Sequence, residues 1–168
     1  MTVHPIIQPN IRPCLREDWP AFADCMYAMW RDIGASPEQI QPNWHQIVIR
    51  FLEDAECDGF GGYVAEADQQ IIGTAGGQLM GGLSPQIVKP SYRLRGYVWG
   101  VYVAPAWRGQ GIARKLTSAV VAHLQSLGCT QVLLHAATDG YPVYQKMGFT
   151  ASHEMKLLLP TSGTDTKC

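Results

Sequence analysis

The feature that most constrains this chain is the hexapeptide Arg108-Gly109-Gln110-Gly111-Ile112-Ala113, together with what flanks it. Ahead of it, residues 96–103 read as a strand, and Ala104-Pro105-Ala106-Trp107 breaks the pattern because proline cannot donate to a ladder. Behind it, Ile112, Leu116, Val120 and Leu124 recur at helical spacing until Gly128 supplies a stop. The unit is strand, tight glycine loop, helix. The first-turn amides of such a helix have no intrahelical partners, and the helix dipole favours negative charge beside them, so the loop is suited to phosphate. Gly109 and Gly111 let an anion approach the backbone, while Arg108 and Arg114 add cationic side chains able to pair with phosphate oxygens.

Two other phosphate loops do not fit. A P-loop needs G-x-x-x-x-G-K-[ST], and the run from Gly109 to Arg114 lacks the last glycine of a G-x-G-x-x-G dinucleotide fingerprint. What the segment resembles is the acyl-CoA pyrophosphate loop of the GCN5-related N-acetyltransferases, [RQ]-x-x-G-x-[GA], matched by Arg108, Gly111 and Ala113. Downstream, Tyr144-Gln145-Lys146-Met147-Gly148-Phe149 looks like the Y-x-x-x-G-F segment that follows the fifth strand in the same family. The resemblance covers residues 11–160.

It implies an α/β fold: a mixed, mostly antiparallel sheet of six or seven strands with helices on both faces and strands four and five splayed. The pantetheine arm of the co-substrate, acetyl-CoA, would pair with exposed backbone of the fourth strand at Val101, Tyr102 and Val103. The pyrophosphate would sit on Arg108, Gly109, Gln110, Gly111, Ile112, Ala113 and Arg114. Independently of any resemblance, Gly100 inside a strand pattern signals a bulge or a close approach.

A chain of 168 residues is one domain of ordinary size. Its net charge is −1 and its charged fraction 16%, so no basic field exists to attract nucleic acid. Hydrophobic stretches are short, and residues 1–15 lack the basic start and apolar run of a signal peptide, so a soluble cytoplasmic protein without membrane attachment is expected. Five cysteines are widely spaced without a C-x-x-C pair, and five histidines are scattered without H-x-x-x-H, so neither a disulfide framework nor a metal site is expected.

Residues 1–10 carry no pattern and read as a loose lead-in, and residues 161–168 as a disordered tail. A first strand is expected at residues 11–15, followed by a helix capped by Asp18 and ending at Gly34. Ser36-Pro37-Glu38-Gln39 forms a capping box, and Trp44, Ile47, Val48, Phe51, Leu52 and Ala55 mark a second amphipathic helix. Strands at residues 60–66 and 70–80 meet at Ala67-Asp68-Gln69, with Gly73, Gly76 and Gly77 marking places to bend or bulge. Residues 131–136 read as a strand covered on both faces, and Met155, Leu157 and Leu159 fall on one face of a strand expected to close the sheet. The long connection at residues 81–95 and the segment between the first two helices commonly border the acceptor site in this family.

Acetyl transfer to an amine needs a neutral nitrogen, a donor for the thioester oxyanion and an acid for the departing thiolate. A backbone N–H near Val101 is the natural oxyanion donor. The resemblance selects Tyr144 as the acid; the alternative is an aromatic packing residue on a short helix. Many relatives carry a glutamate on the fourth strand, whereas residues 97–103 contain no acidic residue. His135 has a suitable intrinsic pKa of about 6.5 for the base, although a lone histidine in an apolar strand also serves as a structural residue. Asp32, Glu38 and Asp139 are further candidates, as is water-relayed deprotonation. Where the family often has an asparagine seven residues before the tyrosine, this chain has Ala137, with Thr138 beside it.

The expected activity is transfer of acetyl from acetyl-CoA to a primary amine of a small molecule, by direct attack in a ternary complex. The alternative is a non-catalytic acyl-CoA-binding or sensor domain, motivated by the missing strand glutamate. A homodimer is compatible with exposed aromatics such as Trp30 or Trp99, which equally fit a core role.

Overall fold

The computed structural model describes residues 8–81 and 85–159. The expected tail at residues 161–168 and most of the lead-in lie outside these. The elements run β1 (Asn10–Pro13), α1 (Trp19–Asp32), α2 (Trp44–Glu56), β2 (Gly61–Ala67), β3 (Gln70–Leu79), β4 (Arg95–Val103), α3 (Ile112–Ser126), β5 (Gln131–Leu133) and α4 (Tyr141–Lys146). They build one five-stranded sheet in the order β1-β2-β3-β4-β5, antiparallel from β1 to β4 and parallel between β4 and β5. The hairpin between β2 and β3 turns at Asp68 and Gln69, with φ of 49° and 61°, the twin left-handed pair of a tight hairpin turn.

The expected six or seven strands are five among the described residues. The expected closing strand does not form: residues 151–159 join no ladder, and Met155, Leu157 and Leu159 are 95%, 82% and 76% exposed. Alternation describes a face, but a strand also needs an edge to pair with. Here β5 offers only three residues.

Helices cover both faces of the sheet. On one, Leu116, Val120 and Leu124 of α3 pack on Ala65, Ile72, Ala75, Val98 and Val103. The glycines of β3 make this close contact possible, because a Cβ on Gly77 would stand 2.4 Å from Val120 and one on Gly73 3.3 Å from Leu116. Truncating a buried leucine such as Leu116 to alanine in such a layer costs about 2–5 kcal/mol. On the other face, Trp19 and Phe22 of α1, Leu52 of α2 and Val64 of β2 form a second core, against which Phe60 and Trp99 pack. Trp99 stacks on Phe60 and meets Phe22 edge-on, so it is largely a core residue.

The amino-terminal strand is tied down by charge. Arg12 bonds Glu66 at 2.6 Å and Asp18 at 2.6 and 2.9 Å, and the Asp18 carboxylate also accepts the Leu15 N–H at 2.7 Å. Asp18 stands at the expected start of α1, yet its oxygens face backwards to Arg12 and Leu15 and do not cap the helix amides. The capping box at residues 36–39 forms as read, with the Ser36 N–H donating to Gln39 Oε1 at 2.8 Å, and closes a single 3-10 turn.

Candidate active site

The parallel ladder between β4 and β5 is short: Arg95 pairs with Gln131, Gly96 with Val132 and Tyr97 with Leu133. Beyond Tyr97, β4 continues for six more residues that have no ladder partner in β5. At the start of this open edge, Gly100 adopts a φ of +62° and the β3–β4 register slips: Gly76 faces Trp99, whereas Thr74 faces Tyr102. The expected bulge at Gly100 is present. A Cβ there would stand 2.8 Å from the Met26 sulfur, the flexible end of a side chain that can shift, so it is the φ that calls for glycine.

After the bulge, the backbone alternates. Ala104 donates its N–H to Ile72 of the sheet's interior side at 2.8 Å, which turns Tyr102 the same way and Val101 and Val103 towards the gap. Of the three residues expected to hold the pantetheine arm, Val101 and Val103 therefore present backbone to the opening, and Tyr102 uses its own for β3. The Val103 carbonyl accepts Arg108 Nε at 2.8 Å.

The glycine loop leads directly into α3. Gly109 and Gly111 adopt φ of +78° and +76°, and nothing lies within 4 Å of a Cβ built on either. Gly111 is the N-cap residue, no side chain caps the helix, and its first intrahelical bond is Lys115 N–H to the Gly111 carbonyl at 3.1 Å. The amides of Ile112, Ala113 and Arg114 are thus left to an external acceptor. Gln110 and Arg114 are both exposed, while the Ile112 side chain is buried in the core. Arg108 behaves differently: its guanidinium lies over the Tyr102 ring at 5.7 Å and is ion-paired with Asp32 of α1. Between α3 and α4 a cavity of about 340 Å³ is bordered by Arg114, Ser118, Lys146 and Phe149.

Tyr144 is half-buried on α4, its ring 5.9 Å from Phe149 and against Gly140. Burial pushes its hydroxyl above the usual phenol range, so it stays protonated near neutral pH. His135 is exposed just beyond β5, bonded through Nδ1 to the Tyr97 hydroxyl and through Nε2 to Glu154 Oε1 at 2.9 Å. Tyr97 is the last β4 residue paired to β5, so this Tyr97–His135–Glu154 chain sits where the strands part. Tyr144 is not part of that hydrogen-bonded group. Burial raises the Tyr97 hydroxyl too, so with Tyr97 donating to Nδ1 the histidine donates from Nε2–H to Glu154.

Among the other candidate bases, Asp32 is taken up by Arg108, and Asp139 lies exposed in the turn before α4. Glu38, also exposed, has its carboxyl held below the usual range by the Ser36 hydroxyl. Ala137, in the place of the family's asparagine, uses its carbonyl to accept the N–H groups of Gly140 and Tyr141 at 2.9 and 3.1 Å. The sequence reading did not single out Thr74, Tyr97 or Glu154; each acquires its place only through a partner distant along the chain. On the α1–α2 side, Tyr27 and Trp44 are in ring contact at 4.7 Å, and the half-exposed Phe51 meets Trp99 edge-on at 4.9 Å. Among the described residues no helix is long and apolar enough to cross a membrane, and no cluster of metal-ligating side chains occurs.

Comparison with known proteins agrees with this architecture. A family model described as "Acetyltransferase (GNAT) family" matches residues 16–149. A glucosamine 6-phosphate N-acetyltransferase of Trypanosoma brucei brucei is 31% identical over 87 residues, 49% of this chain and 58% of that protein. The chain thus spans little more than half the length of that relative. An aminoglycoside N(6')-acetyltransferase type 1 of Stenotrophomonas maltophilia is 28% identical over 128 residues, 74% of this chain and 72% of its own. In three dimensions, a predicted acetyltransferase with acetyl-CoA from Clostridium acetobutylicum superposes with a TM-score of 0.76 at 24% identity, covering 90% of this chain and 96% of that one.

Proposed function

Since the chain belongs to the GNAT acetyltransferase family, we propose that it transfers the acetyl group of acetyl-CoA to a primary amine of a small molecule, by direct attack in a ternary complex. Family membership supports the coarser statement, an acyl-CoA-dependent N-acetyltransferase. The observation that carries the finer one is the continuity of the open β4 edge with the uncapped amides of α3. A ligand with an extended amide arm ending in a pyrophosphate meets both along one path.

In this reading Val101 and Val103 pair with the arm, and the amides of residues 111–114 hold the pyrophosphate with Gly109, Gln110 and Arg114 around it. Arg108 anchors the loop from behind. The Val101 N–H meets the negative charge that develops on the thioester oxygen as the amine attacks. Tyr144 gives its hydroxyl proton to the departing CoA thiolate. The proton shed by the amine passes to the Tyr97 hydroxyl as the Tyr97 proton moves to His135 Nδ1, with Glu154 steadying the Nε2–H. This makes His135 the base without a strand glutamate. We assign the acceptor to the α1–α2 side of the gap, beside Trp44 and Phe51. The amines named for the relatives, glucosamine 6-phosphate and aminoglycosides, place sugar amines first in a substrate panel.

Titration calorimetry with acetyl-CoA and CoA, followed by thiol release on an amine panel, tests the proposal. Binding together with release above the uncatalysed rate supports it. Binding without release identifies an acyl-CoA sensor, and absence of binding at about millimolar ligand removes the reading altogether.

A further inference from the structure

The bulge in β4 leaves one carbonyl without a ladder donor. Gly76 is opposite Trp99 and Thr74 opposite Tyr102, so neither Gly100 nor Val101 has a register partner in β3. A buried carbonyl in that position must find a hydrogen bond elsewhere. Gly100 finds it in a side chain: the Thr74 hydroxyl, fully buried, donates to the Gly100 carbonyl at 3.1 Å. On the other side of Thr74 is the buried Cys25 of α1, whose thiol the same hydroxyl contacts.

The peptide bond makes this contact directional. In a planar trans unit the C=O and the following N–H point in opposite directions, so fixing the Gly100 carbonyl towards β3 fixes the Val101 N–H away from it. Away from β3 is the side on which β5 has departed. A left-handed glycine such as Gly100 is free to rotate this peptide by a large angle at little cost, and a mobile donor stabilises developing charge poorly because it must reorient during the reaction.

We propose that Thr74 is a positioning residue for acyl transfer: its hydroxyl clamps the Gly100–Val101 peptide and thereby aims the Val101 N–H at the acyl carbonyl. Thr74 touches no reacting atom and acts through that amide. The inference rests on the acetyl-CoA reading of the site and goes beyond it in naming what holds the oxyanion donor in place.

The test uses Thr74→Val, which keeps size and removes the donor, Thr74→Ser, which keeps the donor, and Thr74→Cys, which substitutes a weak one. The first readout needs no acceptor: the infrared stretch of bound acetyl-CoA carrying a ¹³C-labelled acyl carbonyl. In the wild type this band lies below that of free acetyl-CoA; in T74V it returns towards the free value, in T74S it stays low, and in T74C it falls between. The second readout is turnover with any amine that releases thiol. T74V is expected to lower kcat about tenfold with the KM for acetyl-CoA within about twofold, and T74S to restore it. A merely structural role predicts a lower Tm in T74V with the carbonyl band and kcat of the folded enzyme unchanged, and that result overturns the proposal. T74C carries the same two readouts should T74V not fold. A wild-type protein that binds no acetyl-CoA overturns the underlying reading as well, a failure seen by calorimetry before any variant is compared.

Discussion

Arg108 of the glycine loop is ion-paired with Asp32 at the C-terminal end of α1, and its Nε holds the Val103 carbonyl at the end of β4. The motif's arginine is therefore a strut between helix, strand and loop, with a carboxylate close to where a polyanion is proposed to bind. Both side chains are about half exposed, so the pair itself adds little to stability. Its electrostatic effect on the ligand is the larger one. Asp32→Asn removes a negative charge from the rim of the loop and is expected to tighten CoA binding severalfold at low salt, with Tm nearly unchanged. The gain should shrink as ionic strength rises. Calorimetry across a salt series checks it; weaker binding in the variant would show that the strut matters more than the charge.

Tyr144→Phe keeps the ring against Phe149 and removes only the hydroxyl. CoA affinity should stay the same while kcat falls by about 10²-fold, the lower range for a positioned acid. Unchanged turnover reduces Tyr144 to a packing residue.

The Tyr97–His135–Glu154 chain predicts a pH-dependent defect. His135→Gln leaves a side chain that cannot take up the amine's proton, so kcat/KM should drop most near neutral pH. The deficit should narrow as pH approaches the acceptor's own pKa, where the amine arrives already neutral. A loss that is constant across the pH–rate profile would point to disrupted structure around β5 instead.

Acid stability should depend on the Arg12–Asp18 pair. The guanidinium holds the Asp18 carboxyl below its ordinary 3.8, with the Leu15 N–H adding to the effect. A group depressed on folding stabilises the protein fully above its unfolded value and ceases to do so as pH falls through the folded one. Asp18→Asn should therefore lower Tm at pH 7, equivalent to about 2 kcal/mol for a largely buried charge partner. The difference from wild type should shrink as pH drops below the ordinary aspartate range. Thermal melts between neutral and strongly acidic pH measure this.

The strand, glycine loop and helix proposed to hold the donor were legible in the sequence because they are local. Gly109, Gly111 and the helix behind them are contiguous, and a glycine at 100 within a strand run announced its own bulge. The two-residue turn at Asp68 and Gln69 and both amino-terminal helices were readable for the same reason. What stayed hidden depends on pairs distant along the chain. Thr74 and Gly100 are 26 residues apart, and Tyr97 and His135 38. The expected last strand failed for a related reason: the period of Met155, Leu157 and Leu159 is visible in sequence, but the length of the edge available to it is not. Asp18 was read as a helix cap because the residue type and place fit, while the guanidinium that claims it arrives from β1.

The three-residue ladder between β4 and β5 has a kinetic consequence. Among the described residues it is the sole β pairing through which the sheet retains the segment bearing His135, and α4 with Tyr144 follows on the same stretch of chain. A unit fastened by so few main-chain bonds opens with less free energy than the ten-residue β3 in the middle of the sheet, which is paired along both flanks. Amide deuterium uptake should thus be earliest at residues 131–133 and latest along β3. His135 and Tyr144 would then ride on a hinged jaw, with Tyr97 and the surfaces proposed to grip the acyl donor on the fixed one.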